Sequence, residues 1–182
     1  MKLWQGVSLA LMLATMLTVT PVAAADDPIA AIDRLEAALM AKDVDSAVAL
    51  FTDDATARRN PPLPNTTGMY RGKAEIRTFW QALIALNPRF ETVGQRQVAG
   101  EQVTWTNDTG LDVFRRVGIA SFISRGEATV RGGKIVAITI TIPPEELARL
   151  QAAMAAQPAV PPTAPRTGGG NEATYIRRLG DG

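Results

Sequence analysis

The chain has 182 residues, with 19 lysines and arginines against 18 aspartates and glutamates, and it contains no histidine and no cysteine. The missing residue types exclude Ser-His-Asp and Cys-His nucleophile systems, disulfides and the ordinary zinc sites of proteins. The balanced charge argues against a nucleic-acid partner, which needs a strongly basic surface. Acid–base chemistry must therefore come from Asp, Glu, Tyr or Lys, and we expect no cofactor and no metal.

The first 25 residues have the features of a secretory signal peptide. Lys2 precedes an apolar run over Val7 to Val19, and small residues follow at Ala23 to Ala25. The run is shorter than the roughly 20 apolar residues of a transmembrane helix. We predict cleavage after Ala25, with Ala24 as the near alternative. The product is then periplasmic or secreted, with no stable membrane anchor, whereas the rival interpretation is an uncleaved N-terminal anchor.

The rest of the chain is long enough for one domain, predicted over residues 26–156. Helical spacing predicts helices over about 28–41, after Asp43, from Gly72 to Asn87, and from Pro143 onward. The first helix has an apolar stripe interrupted by Glu36. A period of two predicts strands near 55–59, 90–99, 102–108, 119–130 and 135–142. Helices followed by antiparallel strands indicate an α+β fold, and the proline- and glycine-rich residues 157–182 predict a disordered tail.

The segment Arg131-Gly132-Gly133-Lys134 predicts a two-residue hairpin turn. Counting from it pairs Glu127 with Ile138 and Arg125 with Ile140, so both charged residues lie in an apolar row. Apolar walls raise the pKa of a carboxyl group and a nearby arginine lowers it, as for a tuned general base. The alternatives are a structural ion pair, or a solvated pair at a sheet edge.

A second hairpin is predicted at Gly100-Glu101. This turn places Arg96 opposite Trp105 and Gly94 opposite Asn107, and it turns Trp105 and Asn107 toward the apolar face. A slip of one residue in this register would reverse both side chains.

Other candidates carry both a functional and a structural interpretation. Tyr70 lies between a proline-rich loop and the third helix, where its hydroxyl could stabilise an oxyanion or simply cap the core. Trp80 and Trp105 are candidate ligand walls or plain core residues. Asp53-Asp54 is interpreted as a turn between a helix and a strand.

Three passages in order resemble the SnoaL-like branch of the nuclear transport factor 2-like superfamily: residues 43–55, 70–76 and 126–136. Residues 103–108 fit the same branch, and the resemblance covers about 28–156. It implies a cone in which helices pack on a strongly curved antiparallel sheet around an apolar pocket, with a C-terminal helix added. The family includes polyketide cyclases, ketosteroid isomerases, scytalone dehydratases, limonene epoxide hydrolases and binding proteins, so the fold does not decide the function. No catalytic set of the family can be mapped onto this chain.

Two functions follow as hypotheses. The first is an exported pocket protein that binds a small apolar or amphipathic molecule through Trp80, Trp105, Asn107, Ile138 and Ile140. The second is a cofactor-free isomerase, cyclase or hydrolase in which Glu127 is the base, Arg125 holds its charge, and Tyr70 or Asn107 stabilises an oxyanion. A homodimer through the outer sheet face is a further prediction, which a single-protomer mass at micromolar concentration would contradict.

Overall fold

A computed structural model describes residues 27–63 and 66–156 of the chain. The predicted signal peptide and C-terminal tail lie outside the described residues. Within the described residues, no helix is long and apolar enough to cross a membrane.

Among the described residues, five helices form, and all but one short addition lie where the apolar spacing and the caps predict them. Asp27 and Asp43 cap the first two helices by accepting from the backbone N–H groups of Ile29 and Ser46, each at 2.9 Å. The helices are α1 (Pro28–Met40), α2 (Val44–Ala49), α3 (Gly72–Ile84), α4 (Asp112–Arg115) and α5 (Pro144–Ala155). The single turn α4 was not predicted.

In the part of the chain that the structure describes, seven strands form one sheet in the order β2-β1-β7-β6-β5-β3, and β4 also pairs with β5. All neighbouring pairs are antiparallel except β1 and β7, which are parallel. The strands are β1 (Phe51–Asn60), β2 (Met69–Arg71), β3 (Arg89–Thr92), β4 (Gln97–Ala99), β5 (Gln102–Gly110), β6 (Phe122–Arg131) and β7 (Lys134–Thr141). The predicted α+β fold, with helices on a curved antiparallel sheet and a C-terminal helix, is confirmed.

Helices α1, α2 and α3 cover one face of the sheet, called here the inner face, and the core lies between them. Helix α3 buries Phe79 and Trp80, whose rings lie 4.3 Å apart between centroids. Such aromatic pairs bury large apolar areas, so α3 contributes much of the stability of this layer.

Helix α5 attaches to the start of β6 by hydrogen bonds and by burial of its apolar face. Glu146 accepts from the backbone N–H of Ile123 at 3.0 Å and from Arg149 Nη2 at 2.8 Å. The Arg149 guanidinium and this N–H hold the pKa of the Glu146 carboxyl below its ordinary value. Leu150 is the buried residue of the helix.

The predicted glycine turn between β6 and β7 forms, with Arg131 opposite Lys134 and Val130 opposite Ile135. The register then shifts, because Thr129 pairs with Ala137 and Val136 is an extra residue on β7. A one-residue bulge exchanges the two faces of every later residue in the pairing. The predicted register beyond the turn is therefore wrong.

The shift moves Glu127 opposite Thr139 and Arg125 opposite Thr141, on the outer face. The inner face receives Ala128 opposite Ile138 and Gly126 opposite Ile140 instead. The predicted position of Arg125 and Glu127 in the isoleucine row is thus incorrect, and the cause is the bulge at Val136.

The second hairpin has its turn where predicted, with Val98 opposite Val103. Farther along, Thr92 rather than Gly94 lies opposite Asn107, because residues 93–96 span the distance that only two residues of β5 cover. The predicted pairing is wrong by two residues. An even shift preserves the faces, so Trp105 and Asn107 are buried on the inner side as predicted.

Two local predictions near β1 also need correction. Asp53 and Asp54 lie inside β1 rather than in a turn, at the place where the pairing of β1 with β7 shifts between Phe51 and Thr56. Where the regular pairing is interrupted in this way, the strand can keep polar side chains exposed on neighbouring positions. The strand is consequently longer than the predicted 55–59.

Candidate functional site

A narrow cavity of about 30 Å³ lies between the helices and the inner face of the sheet. Its walls are mostly apolar side chains from α1, α3 and the sheet: Leu35, Leu39, Phe79, Trp80, Leu83, Phe90, Leu111, Phe122, Ile138 and Ile140. Roughly 10–15 Å³ of such space is needed per water molecule, so the cavity as it stands has room for about two waters. A larger ligand has to widen it.

One end of the cavity is polar and centred on Glu36, which projects from α1 with 12% of its side chain exposed. Glu36 Oε1 accepts from Asn107 Nδ2 at 2.7 Å. Glu36 Oε2 accepts from Arg96 Nη2 at 2.6 Å, which makes a short ion pair. Both oxygens of the carboxylate are therefore held by donors from the sheet side, and charge-assisted bonds of this length are strong.

Arg96 reaches Glu36 from the connection between β3 and β4. Its side chain is 8% exposed and also pairs with Asp33 Oδ1 at 3.0 Å, one turn before Glu36 on α1. The guanidinium carbon lies 5.8 Å from the centroid of the Trp105 ring, which is a cation–π distance. Nη2 also donates to Thr92 Oγ1 at 3.1 Å. Arg96 thus links α1, the β3 edge and the aromatic wall.

Three more polar residues line the cavity. Thr109 and Ser124 are buried and share a hydrogen bond of 2.7 Å between their hydroxyls. Arg59, from β1, also lines the cavity and is buried. Three buried atoms of the site have no hydrogen-bond partner among the described residues: Trp80 Nε1, Arg96 Nη1 and Asn107 Oδ1.

The structure places the five predicted pocket residues on the cavity wall: Trp80, Trp105, Asn107, Ile138 and Ile140. The Trp105 ring packs directly on Gly126, since a Cβ atom there would lie 2.1 Å from the ring. Glycine is required at this position because any side chain would displace the tryptophan. That these residues bind a ligand stays a prediction.

The predicted catalytic pair does not reach this cavity. Arg125 and Glu127 are exposed on the outer face of the sheet, in an open groove of about 440 Å³ with Thr139 and Thr141. Arg125 pairs with Glu145 at 3.4 Å, and both side chains are about two-thirds exposed. Solvent screens this pair, and its acidic partner is Glu145 rather than Glu127. The outer face is also the surface of the predicted homodimer, which stays a prediction.

Tyr70 is buried in β2 and does not line the cavity. Its ring stacks on Phe79 at 4.6 Å between centroids, and its hydroxyl donates to Thr66 Oγ1 at 3.1 Å. The core-capping interpretation of Tyr70 is the one that these contacts support.

Sequence reasoning missed Glu36 and Arg96 as site residues. A signal existed for Glu36, since it interrupts an otherwise apolar helical stripe and a carboxylate in such a position must find partners. Arg96 carried no comparable signal, because its partners on α1 lie 60 or more residues away in the chain. Only the folded arrangement brings these residues together.

The sequence pattern of the SnoaL-like domain family matches residues 32–138. The chain belongs to the SnoaL-like domain family. It is thereby a member of the nuclear transport factor 2-like superfamily, as its sequence resemblance indicated. No curated protein sequence matches it significantly.

Solved structures with a similar fold include TerC crystallised with polyporic acid, at a TM-score of 0.55 and 16% identity, covering 68% of this chain and 96% of TerC. SalBIII, an epoxide hydrolase/cyclase-like enzyme with a role in pyran ring formation in the polyether salinomycin, is similar at a TM-score of 0.55 and 16% identity, covering 65% and 92%. An NTF2-like protein of unknown function from Cytophaga hutchinsonii is similar at 0.51 and 12% identity, covering 66% and 93%. These identities show a shared fold and leave the chemistry to the residues of each site.

The arrangement at Glu36 offers a carboxylate beside an apolar cavity, held in one orientation by two donors. A fixed carboxylate can accept a proton from a bound molecule, and it can equally orient a ligand by hydrogen bonding. The described residues contain no group of three or more acidic side chains arranged to hold a metal ion.

Removal of one partner of the Glu36–Arg96 pair is expected to be strongly destabilising, because it leaves the other as a largely buried, unpaired charge. We expect Arg96→Met to lower the free energy of unfolding by about 2–4 kcal/mol. This loss is somewhat smaller than is usual for a broken buried pair, because Asn107 still donates a hydrogen bond to Glu36. Urea unfolding followed by circular dichroism measures this difference.

Arg125→Met is the matched control, since it removes the same group from an exposed pair and should change stability by less than about 0.5 kcal/mol. Equal effects of the two substitutions would show that the pair of Arg96 and Glu36 is no more important than a surface contact.

Proposed function

We propose that this SnoaL-like protein is exported and that its internal cavity binds a small apolar or amphipathic molecule. The observation that carries the proposal is an apolar cavity with one polar end, where Glu36, Arg96 and Asn107 are already held in place. Binding sites for small molecules combine apolar walls with a few fixed polar groups in this way.

The size of the cavity limits the ligand. A volume of about 30 Å³ is far below the roughly 300 Å³ or more typical of sites for drug-sized ligands. The ligand is therefore compact, and side chains at the rim must move when it enters. Phe90 and Ile140 are only half-buried, so they can move at a lower cost than the fully buried core.

Two fold neighbours support the proposal by analogy, since TerC was crystallised with polyporic acid and SalBIII acts in pyran ring formation. At their level of identity they support a pocket in this fold and do not identify its occupant.

Ligand binding can be measured through the tryptophans of the protein itself. The chain has three tryptophans, and Trp4 is lost with the signal, so Trp80 and Trp105 of the cavity wall remain. We expect one- and two-ring amphipathic compounds to change the emission of the processed protein. At 100 times Kd such a ligand should add about 2.7 kcal/mol to the free energy of unfolding.

Ile140→Phe should abolish this response, because the larger ring fills the cavity from its wall. Thr139→Phe adds the same ring on the other face of β7, at the outer groove, and should leave the response unchanged. An identical response from Ile140→Phe and the wild type would place the ligand outside this cavity.

Export is tested by the mass of the protein recovered from a Gram-negative host. We expect a periplasmic product that begins at Asp26, because Ala23 and Ala25 are the small residues that signal peptidase requires. Replacing both alanines by leucine should leave an uncleaved, membrane-associated chain. A full-length wild-type chain in the cytoplasm would contradict the proposal.

A second function is favoured by the carboxylate itself. Glu36, rather than Glu127, is placed to serve as the base of a cofactor-free isomerase, cyclase or hydrolase, since it faces the cavity and is oriented by Asn107 and Arg96. Glu36→Gln keeps the shape of the side chain and removes its basicity.

Once a reaction is found, Glu36→Gln is expected to lower kcat by about 10²–10⁴-fold, the usual contribution of a general base. Glu127→Gln tests the assignment made from sequence, and on the geometry it should change kcat less than twofold. Loss of activity in Glu127→Gln alone would move the chemistry to the outer face.

A further inference from the structure

Three polar atoms in and beside the cavity have no hydrogen-bond partner among the described residues. Trp80 Nε1 and Arg96 Nη1 are donors and Asn107 Oδ1 is an acceptor, and all three atoms are buried. Buried polar groups of proteins are almost always paired, with protein, water or ligand. A ligand that pairs with these atoms gains affinity that a hydrocarbon of the same shape lacks.

The orientation of Asn107 decides what it can recognise. Its Nδ2 donates to Glu36 Oε1 at 2.7 Å, and a reversed amide would bring two oxygen acceptors together. The carboxylate therefore fixes Oδ1 as the group left for a ligand. Since Oδ1 can only accept, its partner must carry a hydrogen, as a hydroxyl group does.

The charges of the site disfavour a charged ligand of either sign. Glu36 and Arg96 already compensate each other as an ion pair. A charged ligand would lose its hydration on entering the apolar cavity, and this pair offers it no uncompensated counter-charge. An uncharged polar group meets no such cost.

We infer that the ligand is a compact, uncharged alcohol or phenol whose hydroxyl donates to Asn107 Oδ1 and accepts from Trp80 Nε1. The inference rests on the proposed binding function and narrows it to one chemical class. The ring of the ligand lies against the apolar wall, and the hydroxyl occupies the polar end beside Glu36.

Phenol and toluene test this inference as a pair of nearly equal shape, because they differ by a hydroxyl in place of a methyl group. Phenol is uncharged at pH 7, since phenolic hydroxyls ionise near pH 10. Titration calorimetry on the processed protein should show phenol binding at least about tenfold more tightly than toluene. Benzoate and benzylamine, which carry the two charges, should bind more weakly than phenol.

Substitutions then assign the hydroxyl contact to its partners. Trp80→Phe keeps an aromatic wall and removes Nε1, and we expect it to lower phenol affinity about tenfold while toluene affinity changes less than threefold. Asn107→Leu should act in the same direction. Thr106→Val, which removes a hydroxyl from the outer face of β5, should leave both affinities unchanged.

The outcomes separate the inference from the function on which it rests. Equal affinity for phenol and toluene, or a preference for benzoate or benzylamine, overturns the inference and leaves ligand binding intact. No binding by any of the four probes overturns both. Should Asn107→Leu fail to fold, the probe series on the wild-type protein and on Trp80→Phe still decides the question.

Discussion

The extra residue Val136 in β7 determines which side chains face the interior. Because the bulge lies next to the β6–β7 turn, all later pairs of these two central strands are shifted by one. The inner face therefore combines Ile138 and Ile140 with the small residues Ala128 and Gly126. Small residues opposite large ones leave a depression in the sheet. The Trp105 ring occupies the part of it above Gly126, where a Cβ atom would lie 2.1 Å away.

The bulge also explains why the acidic group of the cavity comes from a helix. Because Glu127 lies on the outer face, the carboxylate that lines the cavity is that of Glu36 from α1. A carboxylate with 12% exposure requires partners, and the sheet supplies Arg96 and Asn107. When both residues of such an ion pair are replaced by apolar residues of similar shape, a protein is often equally stable. Stability alone therefore does not explain why this position holds an ion pair.

Local sequence signals predicted the features that depend on neighbouring residues. Helix α1 followed from its apolar spacing and the Asp27 cap, and the glycine pair at residues 132–133 located the hairpin turn. The inward direction of Trp105 and Asn107 survived a wrong register because the error was an even number of residues. The fold class could also be predicted from local signals, because it depends on the order of the helices and strands and on their apolar periodicity.

The features that sequence could not predict depend on distant residues or on single irregularities. A bulge of one residue leaves the alternating pattern of β7 nearly unchanged, so nothing in the order of Val136, Ile138 and Ile140 marks it. The parallel pairing of β1 with β7 joins strands about 80 residues apart, which no local periodicity records. The partners of Arg96 on α1 have the same character.

The polar end of the cavity illustrates that the residues of a site, and not the shared fold, set its chemistry. SalBIII and TerC share the architecture at 16% identity, and an architecture shared at that distance leaves the interior free to vary. In this chain the interior holds one partly buried acid, a guanidinium paired with it, and an amide whose direction the acid fixes. Asn107 therefore acts through its orientation: removing the charge of Glu36 would let the amide rotate and exchange its acceptor for a donor. Under the proposed binding function, the acid then controls which ligand group the amide can pair with even if it never transfers a proton.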